Sequence, residues 1–352
     1  GLIEGLPKDS LIIYTSSQKG DKAFDAQLLE KFGAVVIRDR AKMLLPTPRV
    51  TRKAVKILKQ AQIKNVWFGA AAPLALMAGK LRSAGASNIV ALSHGHEVWW
   101  AKIPILKSML KKIIKDVDHL GYLGDFTKGE IAKISNQPQK FLQIAPGIDT
   151  EHFAPRNSRH DLIEKYRLEG RRVIVSVGRL VHRKGQDELV KAMPKILEQF
   201  PDAILLFVGE GPIKQMLFNS AKQLGVLPKV VFAGRVSHHD LPDYICLGEI
   251  FAMPSRSRLA GLEVEGLGIV YLEASACELP VVGGLSGGAP DAVLEGETGF
   301  AVDGLNPSAV AAGVIRLLED PDLAKAMGKR GRQWIIDEWE WRHWSERFNA
   351  LF

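Results

Sequence analysis

"RVIVSVGRLVHRKG", residues 172–185, is a short apolar run that stops at a glycine and turns at once into a basic loop. Val173, Ile174, Val175 and Val177 do not alternate with charged residues, so neither face of a strand built from them suits water. Strands buried on both faces belong to parallel sheets covered by helices. The same pattern recurs along the chain, each run followed by a helix-like segment. In the first half the runs are "LIIY" (11–14), "AVVIR" (34–38), "VWFGA" (66–70), "IVALSH" (89–94), "HLGYLG" (119–124) and "FLQIAPG" (141–147). In the second, "RVIVSVGRL" (172–180) is joined by "AILLFVGEG" (203–211), "VVFAGR" (230–235), "IFAMPS" (250–255), "PVVGG" (280–284) and "GFAV" (299–302). Twelve strands exceed one comfortable sheet, so the expected fold is α/β with two doubly wound units.

The polar, proline-containing "PGIDTEHFAPRNSRHD", 146–161, marks the boundary. The expected domains are 1–155 and 156–337. The tail beyond Pro321 is helical in pattern and carries Trp334, Trp339, Trp341 and Trp344, so it must bury itself; residues 338–352 are expected to rejoin the first domain. The 352 residues are 46% hydrophobic and 24% charged, an ordinary globular composition. Cys246 and Cys277 give neither a disulfide framework nor metal-ligand spacing. No apolar run reaches the roughly 18 residues of a spanning helix, and no signal peptide is visible at Gly1. The net charge of +8 admits nucleic acid, anionic membrane or phosphorylated small molecules. Without zinc-finger spacing or an aromatic-rich basic strand, nucleic acid is set aside.

In open α/β sheets ligands sit beyond the carboxyl ends of the strands. There "SVGRLVHRKG" supplies Gly178, Arg179, Arg183 and Lys184, "FVGEGP" supplies Gly209 and Gly211, and "SGGAP" (286–290) follows another strand. Glycines let backbone approach a ligand, and a helix that follows offers free N–H groups to an anion. "EVEGLGIVYLEA", 263–274, places Glu265 and Glu273 eight positions apart. A continuous helix would set them on one face, about 12 Å apart. Alternatively, Glu265 through Gly268 form the mouth of a helix running from Ile269 to Ala276. On either view a nucleotide sugar fits: Glu265 to sugar hydroxyls, N–H groups and cations to the diphosphate, Glu273 to the ribose. A helix N-terminal acid and an ordinary solvated glutamate explain the same spacing without a ligand.

"GRLVHRKG", "FVGEGP", Glu265-x7-Glu273 and "SGGAPDAVLEGETGF" together resemble the retaining glycosyltransferases of family 4, which have the GT-B fold. "PGIDTEHFAP" resembles the segment that ends their N-terminal domain, and the resemblance covers nearly the whole chain. It implies two facing Rossmann-like domains with a cleft between them. "WFGAAAPLALMAG" (67–79), "SHGHEVWW" (93–100) and "EVEGLGIVYLEA" most resemble the actinobacterial GDP-mannose-dependent phosphatidylinositol mannosyltransferases of the type adding the second mannose. The implied donor is GDP-mannose and the implied acceptor a phosphatidylinositol mannoside lipid. By the same resemblance Arg179 and Lys184 hold the diphosphate, Glu265 and Glu273 are the paired glutamates, and His94 faces the transferred sugar. The backbone near Val236 lies where the base is read, and Gly178, Gly209, Gly268 and Ile269 complete the nucleotide-sugar site. Glu265 and His94 are the expected catalytic residues; His96 and Glu97 receive no role.

The family opens with a strand and a glycine-rich loop, whereas "GLIEGLPKDSL" reads as already inside the first helix, so that element is expected either to be absent or to lie outside this sequence. "RSRLAGLEVEG" also departs from the glycine-richer form expected before Glu265. Asp116-Val117-Asp118 matches the DxD metal pattern but precedes a first-domain strand and is read as a helix end. The expected chemistry therefore needs no metal or other cofactor. "AKIPILKSMLKKIIKDVDHL", 101–120, interleaves Lys102, Lys107, Lys111, Lys112 and Lys115 with Ile103, Leu106, Met109, Leu110, Ile113 and Ile114. It suits an anionic bilayer, and equally a domain helix with a solvated lysine face. With a lipid acceptor, the expected location is peripheral, on the cytoplasmic face of the cell membrane. Two other readings stand: a family 4 transferase using a UDP-sugar and another acceptor, and a non-catalytic sugar-nucleotide-binding protein.

Overall fold

A computed structural model describes residues 1–157 and 159–352. The chain forms two compact units, residues 1–146 with 341–352, and residues 147–340. In the first unit, β1 (Ile12–Ser16) and β2 (Val35–Asp39) pair in parallel. A separate parallel sheet runs β3 (Asn65–Phe68), β4 (Asn88–Leu92), β5 (His119–Tyr122) and β6 (Phe141–Gln143), in that order. The unit therefore does not build the single doubly wound sheet its pattern predicts. β1 pairs only with β2 and β3 only with β4, so the ladder is interrupted between them. The neighbouring helix Asp21–Phe32 buries none of its residues.

The core lies under the four-stranded sheet. Ile89, Ala91 and Leu120 meet Leu110, Ile113 and Ile114 of the helix Pro104–Asp116. Those three helical positions, spaced i, i+3, i+4, make one stripe. Lys140 Nζ donates to the carbonyls of Ile114 (3.0 Å), Lys115 (3.0 Å) and Val117 (2.7 Å), closing the helix end where a cation is favoured. The tail helix Trp341–Asn349 belongs to this unit. Its Phe348 is fully buried with Val90, Leu92 and Ile144, its ring 4.6 Å from that of Trp67.

The second unit is one six-stranded parallel sheet: β7 (Arg172–Val177), β8 (Ala203–Val208), β9 (Val230–Gly234), β10 (Ile250–Met253), β11 (Val281–Gly284) and β12 (Gly299–Val302). Their spatial order is β12-β11-β10-β7-β8-β9, so the chain winds outward through β8 and β9 and then restarts beside β7. The β7/β10 junction is the switch point where such sheets open a crevice. Beneath β10 the fully buried Tyr271 donates its hydroxyl to the Met253 carbonyl at 2.7 Å and meets Ser255 Oγ at 2.8 Å. Among the described residues no helix is long and apolar enough to cross a membrane.

Candidate active site

Around the switch point the strand exits are knitted into one surface. Gly178 N donates to Val208 O (2.9 Å), Gly209 N to Gly234 O (2.8 Å) and Leu180 N to Glu210 O (3.1 Å), linking the ends of β7, β8 and β9. Val236 follows β9 by two residues. Arg179, just past β7, is exposed, and no carboxylate pairs with it among the described residues. Lys184 is buried, its Nζ 2.8 Å from Glu265 Oε2, with Arg183 Nη1 at 3.6 Å from the same oxygen. Burial holds the Lys184 ammonium below its ordinary pKa, against the pull of Glu265.

Glu265 does not share a helix with Glu273. The helix begins at Ile269, after Gly268 turns through φ +81°, so the continuous-helix geometry fails and the helix-mouth geometry holds. A side chain on Gly268 would meet the Tyr271 ring at 2.4 Å, so the turn needs glycine twice over. Glu265 is fixed by the loop after β11 instead: its N–H donates to Ser286 Oγ (3.2 Å) and its carbonyl accepts from Gly288 N (2.8 Å). Glu273, inside the helix, is buried. Desolvation raises its pKa to about 7, only partly offset by Lys184. The second unit thus gathers three cations, a paired carboxylate, a carboxyl near neutrality and a helix N-terminus at one switch point.

Two polar assemblies here have no motif in the sequence. Arg256 is buried and donates to Asp187 Oδ2 (2.6 Å) and Glu188 Oε1 (3.2 Å), while its backbone N–H donates to Arg183 O (2.8 Å). It fastens the exit of β10 to the helix Gln186–Gln199 directly after Lys184. In the first unit, Glu97 is fully buried and accepts from His94 N (3.0 Å) and Ala72 N (3.3 Å). It braces the exposed His94, whose Nε2 meets the Gly69 carbonyl, so Glu97 supports a candidate residue although its sequence position suggests no role. An acid beside two histidines gives no signal; only the fold reveals that its oxygens face backbone N–H groups.

Other sequence candidates have structural employment. Asp116 ends its helix beside Lys112 (2.6 Å), and Asp118 accepts from Arg82 Nη2 (2.6 Å) and Ile89 N (2.7 Å). Among the described residues no three His, Cys, Asp or Glu side chains cluster as a metal site. The lysine-rich stretch is two helices, Glu97–Lys102 and Pro104–Asp116, parted at Ile103 before the proline. Its apolar stripe faces the core, leaving Lys102, Lys111, Lys112, Lys115 and Ile105 exposed.

The model for "Glycosyl transferases group 1" matches residues 158–334, half of the chain. The chain belongs to this family. Over 342 residues it is 43% identical to the GDP-mannose-dependent α-(1-6)-phosphatidylinositol monomannoside mannosyltransferase of Mycolicibacterium smegmatis, covering 97% of this chain and 89% of that one. Over 348 residues it is 40% identical to the enzyme of Corynebacterium glutamicum named for the monoacylated form of that acceptor, covering 97% and 90%. The crystal structure of Anabaena HepE in complex with UDP superposes with a TM-score of 0.78 at 16% identity, covering 97% of this transferase and 98% of HepE. The fold is accordingly of the GT-B class.

The buried Glu273 carboxyl gives this transferase a readable pH dependence. With its pKa raised from 4.5 to about 7 in the folded protein, the native state holds more protons than the unfolded chain between those values. Stability contributed by the protonated form is therefore lost as pH rises through that window. Glu273→Gln removes the loss: the variant should gain on the parent from pH 5 to pH 8, by up to about 3 kcal/mol in denaturant titrations. A stability difference independent of pH would contradict the raised pKa.

Proposed function

We propose that this glycosyltransferase moves mannose from GDP-mannose to a phosphatidylinositol mannoside lipid, adding the second mannose with retention of configuration. The carrying observation is similarity across 97% of the chain to enzymes named for that donor and acceptor, joined to a switch point whose cations and helix N-terminus suit a sugar diphosphate. Arg179 and Lys184 neutralise the diphosphate together with the N–H groups at Gly268 and Ile269. Glu273 accepts from the ribose, the backbone at Val236 borders the base, and Gly178 and Gly209 let the chain lie close to the ligand. Glu265 contacts the sugar hydroxyls, and His94 is presented to the transferred sugar by its own unit.

In the reaction the bond from the anomeric carbon to the diphosphate oxygen breaks, and a bond to the acceptor oxygen forms on the same face. The acceptor proton passes to the departing diphosphate. Glu265 and His94 steady the oxocarbenium-like sugar, and the fixed cations stabilise the leaving group without a metal ion. The protein works peripherally at the cytoplasmic face of the membrane. Support there comes from the exposed lysines of 102–115, since the apolar stripe of that stretch is already used in the core.

Thermal shift against GDP, UDP, ADP, GDP-mannose and UDP-glucose tests the donor first. Ligand at about 100 Kd should add roughly 2.7 kcal/mol, for GDP and GDP-mannose alone. A shift confined to UDP ligands would keep the fold and replace the substrate. Glu265→Gln should lower turnover about 100- to 1,000-fold while GDP still binds; retention of more than about a tenth of turnover would remove its chemical role. Replacing Lys102, Lys107, Lys111, Lys112 and Lys115 by Gln should weaken co-sedimentation with anionic vesicles about tenfold or more, given about 1 kcal/mol per surface lysine. Unchanged co-sedimentation would withdraw this stretch as the docking face.

A further inference from the structure

The exits of β10, β11 and β12, neighbours in the sheet, carry large apolar side chains exposed to water. Leu259 is 66% exposed and Leu262 43% in the loop after β10, Leu285 59% directly after β11, and Leu305 63% three residues after β12. Ile269, the first residue of the helix that carries Glu273, adds to the same side. Parallel strands end on one side of a sheet, so these residues share the edge at which the donor site opens. The unit's other exposed large apolar residues, Met216, Phe218 and Leu224, lie on or just after the helix Lys214–Gln223, which belongs to the β8 half.

The turn that presents Leu259 is held with care. Arg258 N donates to Glu263 O (2.9 Å), Glu263 N donates to Arg258 O (3.2 Å), and Arg258 Nη1 pairs with Glu263 Oε2 at 2.8 Å. Between them Leu259, Ala260 and Gly261 all take left-handed conformations, with φ of +52°, +53° and +78°. Glycine and asparagine adopt this region readily, whereas leucine does so against its own sterics. A leucine there, pointing into water, gains the fold neither packing nor backbone comfort. Strain and apolar exposure at one residue, four positions before Glu263 closes the turn and six before Glu265, are the pattern of a contact surface.

We propose that Leu259, Leu262, Leu285 and Leu305 form an apolar rim that takes the hydrocarbon chains of the lipid acceptor at the bilayer surface. This rests on the lipid-acceptor reading above. The chemistry favours hydrocarbon: the charges closing the turn neutralise each other, Leu305 N is satisfied by Asp303 Oδ1 (2.9 Å), and four side chains from three loops offer area without directional bonds. A docked peptide helix would instead need a continuous groove reading i, i+3, i+4 anchors.

The test compares one acceptor in two forms: phosphatidylinositol monomannoside in vesicles, and its deacylated, water-soluble counterpart, each with GDP-mannose. The variant combines Leu259→Asn, Leu262→Gln, Leu285→Gln and Leu305→Gln. Its kcat/KM on the vesicle-held lipid should fall about tenfold or more, the effect of losing a few apolar contacts. Its kcat/KM on the deacylated acceptor, and its thermal shift with GDP, should match the parent. Equal rates of parent and variant on the lipid overturn the rim, as do equal losses on both acceptors. A parent that transfers to neither acceptor overturns the lipid reading and the rim with it. Leu259→Asn alone keeps the outcome readable, because asparagine relieves the left-handed strain and should leave the melting temperature unchanged or raised; a clear fall would contradict the premise that leucine serves no packing role.

Discussion

An ammonium group leaves water only with an anion beside it, and Lys184 is nearly enclosed. Glu265 is that anion, and the requirement to hold it at 2.8 Å organises three strand exits at once. Lys184 comes from the exit of β7, Glu265 from the long connection after β10, and the hydrogen bonds that fix Glu265 come from Ser286 and Gly288 after β11. Arg256 adds a second tie, since its guanidinium bridges Asp187 and Glu188 while its backbone holds the Arg183 carbonyl. Removing either member of the central pair leaves a charge stranded in a site of low polarity. The switch point is therefore preorganised around charge before any ligand arrives.

The sheet architecture was legible because its signal is local and redundant. Each of the twelve apolar runs overlaps a strand, since continuous burial on both faces leaves little room for another periodicity. Trp344 and Phe348 likewise had to find a core, and they did so in the first unit. The division of that unit into two sheets was not legible: the runs at 11–14 and 66–70 look alike, and only pairing shows that no ladder connects them. The lysine-rich stretch failed to declare itself for a related reason. An amphipathic pattern states that an apolar face exists, not whether core or bilayer receives it, and here Leu110, Ile113 and Ile114 go to the core.

In the second unit the charged candidates of the glycine-rich loops lie close to the sheet's switch point, while two buried polar assemblies had no signal in the sequence. Arg179, Lys184, Glu265 and Glu273 stand in recognisable spacings and gather in the second unit. Of the two geometries the sequence left open for the glutamates, the helix mouth from Ile269 to Ala276 holds and the continuous helix fails, because Gly268 turns left-handed between them and restarts the count. Glu97 received no role and Arg256 went unnamed, since a buried polar side chain declares itself only through its partners, which lie 25 and 69 positions away at Ala72 and Asp187.

Glu273 carries a consequence for the energetics of ligand capture. A carboxyl that is half protonated near pH 7 is not a fixed anion, so any ligand that requires its charged form must expel, on average, about half a proton into solution as it enters. The heat of such an encounter would contain the ionisation heat of whatever buffer receives that proton. Two laboratories using phosphate and Tris would then record different enthalpies for one and the same complex.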